Sequence, residues 1–96
     1  MLSKFSATNK FKKEYSNLSN DDKKLVDSVV GMLLEGKTLP AKYRDHQLKG
    51  NLKDFRDCHV KPNLVLIYGK EIDEETKEEI LIITAYRINS HSELGL

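Results

Sequence analysis

The sequence predicts an α+β domain, with an N-terminal helical hairpin packed on one face of a small, mostly antiparallel β-sheet. Two observations predict it. Up to Leu34 the apolar residues recur at helical spacing, first as Phe11, Tyr15 and Leu18, then as Leu25, Val26, Val29, Val30, Leu33 and Leu34. After Gly50 the pattern changes to short apolar runs separated by turn residues, at 64–68 and 80–86 above all. The 96 residues are read as one domain, 1–96, with one modest core.

Each element has its own signal. Residues 2–6 suit a short first strand. Thr8 or Asn9 can cap a helix running through Leu18. Ser19 or Asn20 caps a second helix, and Asp21 and Asp22 fall in its first turn, where the helix dipole favours negative charge. Gly36 supplies the stop and Pro40 prevents a restart. The connection between the helices is very short, so they should form an antiparallel hairpin. Residues 39–50 read as a loop ending in the turn signal Lys49-Gly50-Asn51. A strand is expected over 52–60, a tight turn at Lys61-Pro62-Asn63, and a buried strand over 64–68. The acidic stretch 69–79 reads as an exposed, solvated hairpin tip. Residues 80–86 read as a central strand, since they are apolar on both faces.

Composition bounds the chemistry. No run of 18 apolar residues is present and the N-terminus lacks the apolar stretch of a signal peptide, so a cytoplasmic protein without membrane association is expected. Cys58 is the only cysteine, which excludes an internal disulfide and a multi-thiolate zinc site; it reads as a small buried apolar residue. The net charge of +1 is unevenly spread. Residues 70–79 hold six acids and two lysines, whereas 42–61 hold six cations, three acids and two of the three histidines. A basic segment of this kind suits a polyanion, although charge alone favours an ordinary solvated surface.

The histidines carry the functional argument. His46, His59 and His91 are the full set. Strand alternation puts Phe55, Asp57 and His59 on one face and turns Cys58 and Val60 toward the helices. Arg56 then falls on the inner side, which a bulge or a place at the strand rim would resolve. If His46 folds back, it meets Asp57 and His59. RNA cleavage without a metal needs a base for the ribose 2′-OH, a cation for the phosphorane and an acid for the leaving 5′-oxygen. The three histidines, with Lys49, Lys53, Arg56 or Arg87 nearby, could fill these roles, and an aspartate beside an imidazole fixes its tautomer. His46, Asp57 and His59 also have the composition of a two-histidine, one-carboxylate metal site, but the surrounding cations oppose a dication. No metal and no cofactor are expected. Taken singly, each histidine reads as a structural or merely exposed residue.

These residues resemble a known family. Leu39-Pro40, Tyr43-Arg44-Asp45-His46, Leu48-Lys49-Gly50, the run from Phe55 to Asn63, Leu66-Ile67-Tyr68 and Ser90-His91-Ser92-Glu93-Leu94 are similar to the YafQ toxins of the RelE/ParE superfamily, over nearly the whole chain. The resemblance implies a RelE-like toxin fold and the toxin half of a type II toxin–antitoxin system. It implies a ribosome-dependent endoribonuclease, an mRNA interferase, that cuts the A-site codon by acid–base chemistry without metal. His46, Asp57, His59 and His91 then correspond to the catalytic or substrate-contacting positions, with His91 as acid and His46 or His59 as base. Lys53 and Arg56 would hold the phosphate. Asn63 stands where the family often has aspartate; it can hydrogen-bond but cannot act as a base. Leu96 stands where an aromatic often follows, and can pack on a base without stacking as a ring does.

The resemblance also implies partners: mRNA and the ribosome, and a cognate antitoxin of the DinJ/RelB kind. Such an antitoxin is dimeric and DNA-binding, so operator DNA would be reached only through the complex. Two other readings share the fold. One is a non-enzymatic, ParE-like inhibitor of DNA gyrase, which would not need the histidines. The other is a degenerate toxin that only binds its antitoxin, for which Asn63 is the motive.

Overall fold

The computed structural model describes residues 2–74 and 79–96. Strand β1 (Leu2–Ala7) leads into helices α1 (Asn9–Ser16) and α2 (Asn20–Leu34). A short strand β2 (His46–Gln47) lies between two 3₁₀ turns, Ala41–Tyr43 and Gly50–Leu52. Strands β3 (Arg56–Lys61), β4 (Leu64–Asp73) and β5 (Ile80–Asn89) follow, then a single-turn helix α3 (His91–Leu94).

The helix boundaries come from side-chain caps. Thr8 Oγ1 accepts the Phe11 N–H at 3.0 Å and donates to the Tyr86 carbonyl at 2.8 Å, so one hydroxyl starts α1 and ties it to β5. Ser19 Oγ accepts the Asp22 N–H at 3.2 Å and starts α2. Gly36 follows the end of α2 with a φ of 74°, the left-handed conformation that glycine adopts without penalty.

The five strands run in the order β1-β5-β4-β3-β2, with β1 parallel to β5 and every other pair antiparallel. Phe11, Val26, Val29 and Leu33 of the helices pack on Cys58, Val60, Leu66, Tyr68, Leu81, Ile83, Ala85 and Ile88 of the sheet. Burying each large aliphatic side chain in this layer contributes about 1.5–3 kcal/mol. Alternation sends Asp57 and His59, with their register partners Ile67 and Val65, to the opposite face.

The predicted architecture stands, with five corrections. The expected loop over 39–50 contains a 3₁₀ turn and β2, which pairs His46 with Asp57 and Gln47 with Arg56. The strand expected from residue 52 begins only at Arg56, because Gly50, at a φ of 66°, turns the chain into a 3₁₀ turn and the Phe55 N–H closes back on the Leu52 carbonyl. Strand β4 continues past Tyr68 to Asp73, so Glu71 and Asp73 are ladder residues opposite Ile82 and Ile80 rather than part of a free tip. Residues 75–78 of that acidic stretch lie outside the described residues. Finally, β4 and not β5 holds the middle of the sheet, and β5 alternates largely between buried and half-buried side chains. Alpha-helix α1 also ends at Ser16, two residues short of Leu18, which packs on the core from the connection.

Candidate active site

Asp57 is the centre of the site. It is 3% exposed, the only buried charged residue among those described. Strand pairing sets His46 directly opposite it, and His59 follows two residues along the same face of β3. His91 opens α3 at the end of β5, and its ring meets that of His59 edge to face with centroids 4.7 Å apart. All three imidazoles are close enough for their positive charge to act on Asp57. Burial pushes the Asp57 carboxyl above its ordinary pKa, and the three imidazoles oppose that rise without cancelling it.

The backbone before His46 sets its tautomer. Arg44 is the only non-glycine described residue at positive φ, 51°. Its left-handed conformation turns its carbonyl oxygen onto His46 Nδ1 at 2.8 Å. A carbonyl oxygen can only accept, so Nδ1 carries the proton. Oδ1 of Asp57 lies 3.1 Å from the same nitrogen, as a charge contact only, and has no hydrogen bond of its own. Neutral His46 therefore leaves Nε2 bare, and the side chain is 55% exposed. This is the form of an imidazole able to accept a proton from a substrate hydroxyl.

Two partly buried carboxylate clamps hold the segments that carry the outer histidines. Asp45 accepts Tyr68 Oη at 2.6 Å and Arg56 Nε and Nη2 at 3.3 Å each. Glu14 accepts Arg87 Nε at 2.7 Å, Arg87 Nη2 at 2.9 Å, Asn89 Nδ2 at 2.8 Å and, at 3.4 Å, the Ile88 N–H. Asn89 Oδ1 in turn accepts the Ser90 N–H, and Ser90 Oγ caps the turn that presents His91.

Of the cations named for the phosphate, Arg56 and Arg87 each hold a carboxylate. Arg56 does sit on the inner side as alternation requires, and an ion pair at the rim makes that tolerable; the only bulge in β3 falls later, between His59 and Lys61. Lys49 and Lys53 are exposed on the turn beside β2. Asn63 is exposed in the β3–β4 turn, and Leu96, 43% exposed, donates its N–H to the His91 carbonyl. Cys58 is fully buried against the helices, as read, and burial raises its thiol pKa to about 12. Sequence reading missed Asp45, Tyr68 and Glu14, whose partners lie 11 to 75 residues away.

Residues 3–95 match the family model described as bacterial toxin of type II toxin–antitoxin system, YafQ. The chain belongs to the YafQ toxin family. A Haemophilus influenzae protein bearing the YafQ name is 39% identical over 69 residues, covering 72% of this chain and 64% of its own length. The "mRNA interferase toxin YafQ" of Escherichia coli K12 is 57% identical over 30 residues, 31% of this chain and 33% of its own. The chain thus matches under two thirds of the length of either relative. Solved structures match from end to end. A metal-bound toxin from Helicobacter pylori is 42% identical with a TM-score of 0.76, covering 98% of this chain and 99% of that one. YafQ in the E. coli DinJ–YafQ toxin–antitoxin complex is 25% identical with a TM-score of 0.77, covering 98% of both. The described residues of the present YafQ-family chain form no group of three or more His, Cys, Asp or Glu side chains placed to hold a metal ion. No described helix is long and apolar enough to cross a membrane.

Proposed function

We propose that this chain is a ribosome-dependent endoribonuclease that cuts mRNA at the A site by acid–base chemistry. The observation that carries the proposal is the convergence of His46, His59 and His91 on the buried Asp57, with the Nδ1 proton of His46 held by the Arg44 carbonyl. His46 Nε2 takes the proton of the ribose 2′-OH. The resulting 2′-oxygen attacks the adjacent phosphorus and the bond to the 5′-oxygen breaks. His91, exposed at the head of α3 and in contact with His59, donates a proton to that leaving oxygen. Asp57 stays in place as the charge against which imidazolium forms. Base and acid each supply about 10²–10⁴ in rate.

The family assignment and the mRNA interferase name of the E. coli relative support this reading, as does the YafQ seen with DinJ for a partner of the same kind. The partner is an antitoxin that covers the basic face and reaches operator DNA as a complex.

Primer extension on mRNA bound to purified ribosomes tests the nuclease. Wild type should give breaks at A-site codons, and folded His59→Ala/His91→Ala should give none. Breaks of equal intensity from the double variant would remove the histidines from the mechanism. An absence of breaks from wild type, with inhibited supercoiling by gyrase, would replace it with a binding-only toxin.

A further inference from the structure

A cleft of about 430 Å³ opens beside His59, between the N-terminal half of α2, the 3₁₀ turn at Ala41–Tyr43 and the end of β3. Its floor and walls are Leu25, Tyr43, Val60 and Pro62, and its polar lining is Lys42, Arg44, His59 and Lys61. That volume falls within the range of sites for small ligands, roughly 300–1,000 Å³. Its charge is strongly one-sided. Lys61 Nζ is neutralised by Asp22 at 2.8 Å. Lys42 and Arg44 have no carboxylate partner among the described residues, and Lys42 Nζ stands 5.0 Å from the Tyr43 ring centroid.

The contrast with the clamped arginines decides what the cleft does. Arg56 and Arg87 turn Nε and Nη2 onto Asp45 and Glu14, whereas Lys42 and Arg44 are exposed at the edge of the histidine cluster. An anion held there is next to His59. The apolar part of the lining includes Leu25, which is 42% exposed on a helix whose neighbouring Val26 and Val29 are buried. A polyanion with a flat apolar group attached matches both kinds of lining residue.

We propose that this cleft is a subsite for the nucleotide next to the scissile bond of the RNA strand being cut. Lys42 and Arg44 bind its phosphate, and Leu25, Tyr43 and Pro62 receive its base. This rests on the nuclease reading above and adds to it the residues that hold the strand. The strained φ of Arg44 then serves two ends: its carbonyl sets the His46 tautomer, and its guanidinium binds the strand beside that base. Base packing on the ring of Tyr43 tolerates any sequence, since every base has a π-face.

The test uses a short fluorescent single-stranded RNA methylated at every 2′-oxygen, so that it binds but cannot be cut. Fluorescence anisotropy is read for wild type, Lys42→Gln, Arg44→Gln, the double variant, Leu25→Glu and a control, Lys70→Gln, on an exposed part of β4. Thermal melting confirms that each is folded; all these side chains are at the surface, and Arg44→Gln keeps the carbonyl that faces His46. The double variant should bind roughly tenfold more weakly, and its log–log salt slope should be shallower by about 0.7 per lost phosphate contact. Leu25→Glu should also weaken binding, and Lys70→Gln should not. Failure of wild type to bind the RNA, unchanged affinity in the double variant, or an equal loss from Lys70→Gln would overturn the subsite. Ribosomal cleavage is measured in parallel. Lost RNA affinity in the double variant, with no cleavage by wild type, would retain the subsite and discard the nuclease; cleavage with unchanged affinity would do the reverse.

Discussion

Glu14 of α1 and Arg87 of β5, 73 residues apart in the chain, form a two-pronged ion pair at 2.7 and 2.9 Å. The same carboxylate takes Asn89 and the Ile88 N–H, so the helical layer is fastened to the strand end that delivers His91. Removing the charge leaves Arg87, whose side chain is 31% exposed, without its partner. Glu14→Gln is expected to destabilise the fold by about 2 kcal/mol, read from urea unfolding at neutral pH. A midpoint equal to that of wild type would show the clamp to be dispensable.

The same pair predicts an acid limb. Burial alone would raise the Glu14 pKa, but hydrogen bonds from Arg87, Asn89 and the Ile88 N–H, with the Arg87 charge, outweigh it and leave the carboxyl below its ordinary value of 4.5. A depressed carboxylate contributes stability above the unfolded pKa and loses it as pH falls through the folded one. Wild type should therefore lose stability below about pH 4.5, and Glu14→Gln should lose less over the same interval. Parallel pH–stability curves would refute the assignment.

Asp57 has the opposite sign. Its carboxyl is buried and its pKa is raised, chiefly by burial, so the ionised form opposes folding once pH exceeds the folded value. Asp57→Asn should raise the thermal midpoint at neutral pH and lower cleavage by about tenfold or more, since the charge facing the imidazoles is gone. A variant that is both less stable and fully active would contradict the role given to Asp57.

Tyr68 reaches from the middle strand to Asp45, the residue before His46, with a 2.6 Å hydrogen bond. Burial and that carboxylate raise the phenol pKa. Tyr68→Phe removes one hydroxyl from a packed ring. It is expected to destabilise by about 1 kcal/mol and to slow cleavage several-fold without moving the pH optimum. Wild-type cleavage by the variant would uncouple Asp45 from the placement of His46.

Cys58 is inaccessible and its thiol pKa is pushed up to about 12, so almost no thiolate forms near neutrality. Native protein should resist a disulfide-exchange reagent, with labelling that follows urea unfolding. Rapid labelling at zero urea would mean that β3 opens locally.

Period and punctuation placed the helices and the three long strands, though not the end of α1, the start of β3 or the outer half of β4. Thr8, Ser19 and Gly36 act on the residues beside them, and the apolar repeats at 11–34 and 64–68 report burial directly. The same holds for Asp57 and His59 on one face and Cys58 on the other, because alternation in a strand is local. The meeting of His59 with His91 is different: the histidines are far apart in sequence, and only the β3-β4-β5 order brings their rings together. Tertiary structure also decided which cations remain available. Arg56 and Lys42 look alike in a sequence, as charges in one basic segment. The fold places Asp45 against the first and leaves the second facing an open cleft, and a carboxylate's position in space is not written in the spacing of its neighbours.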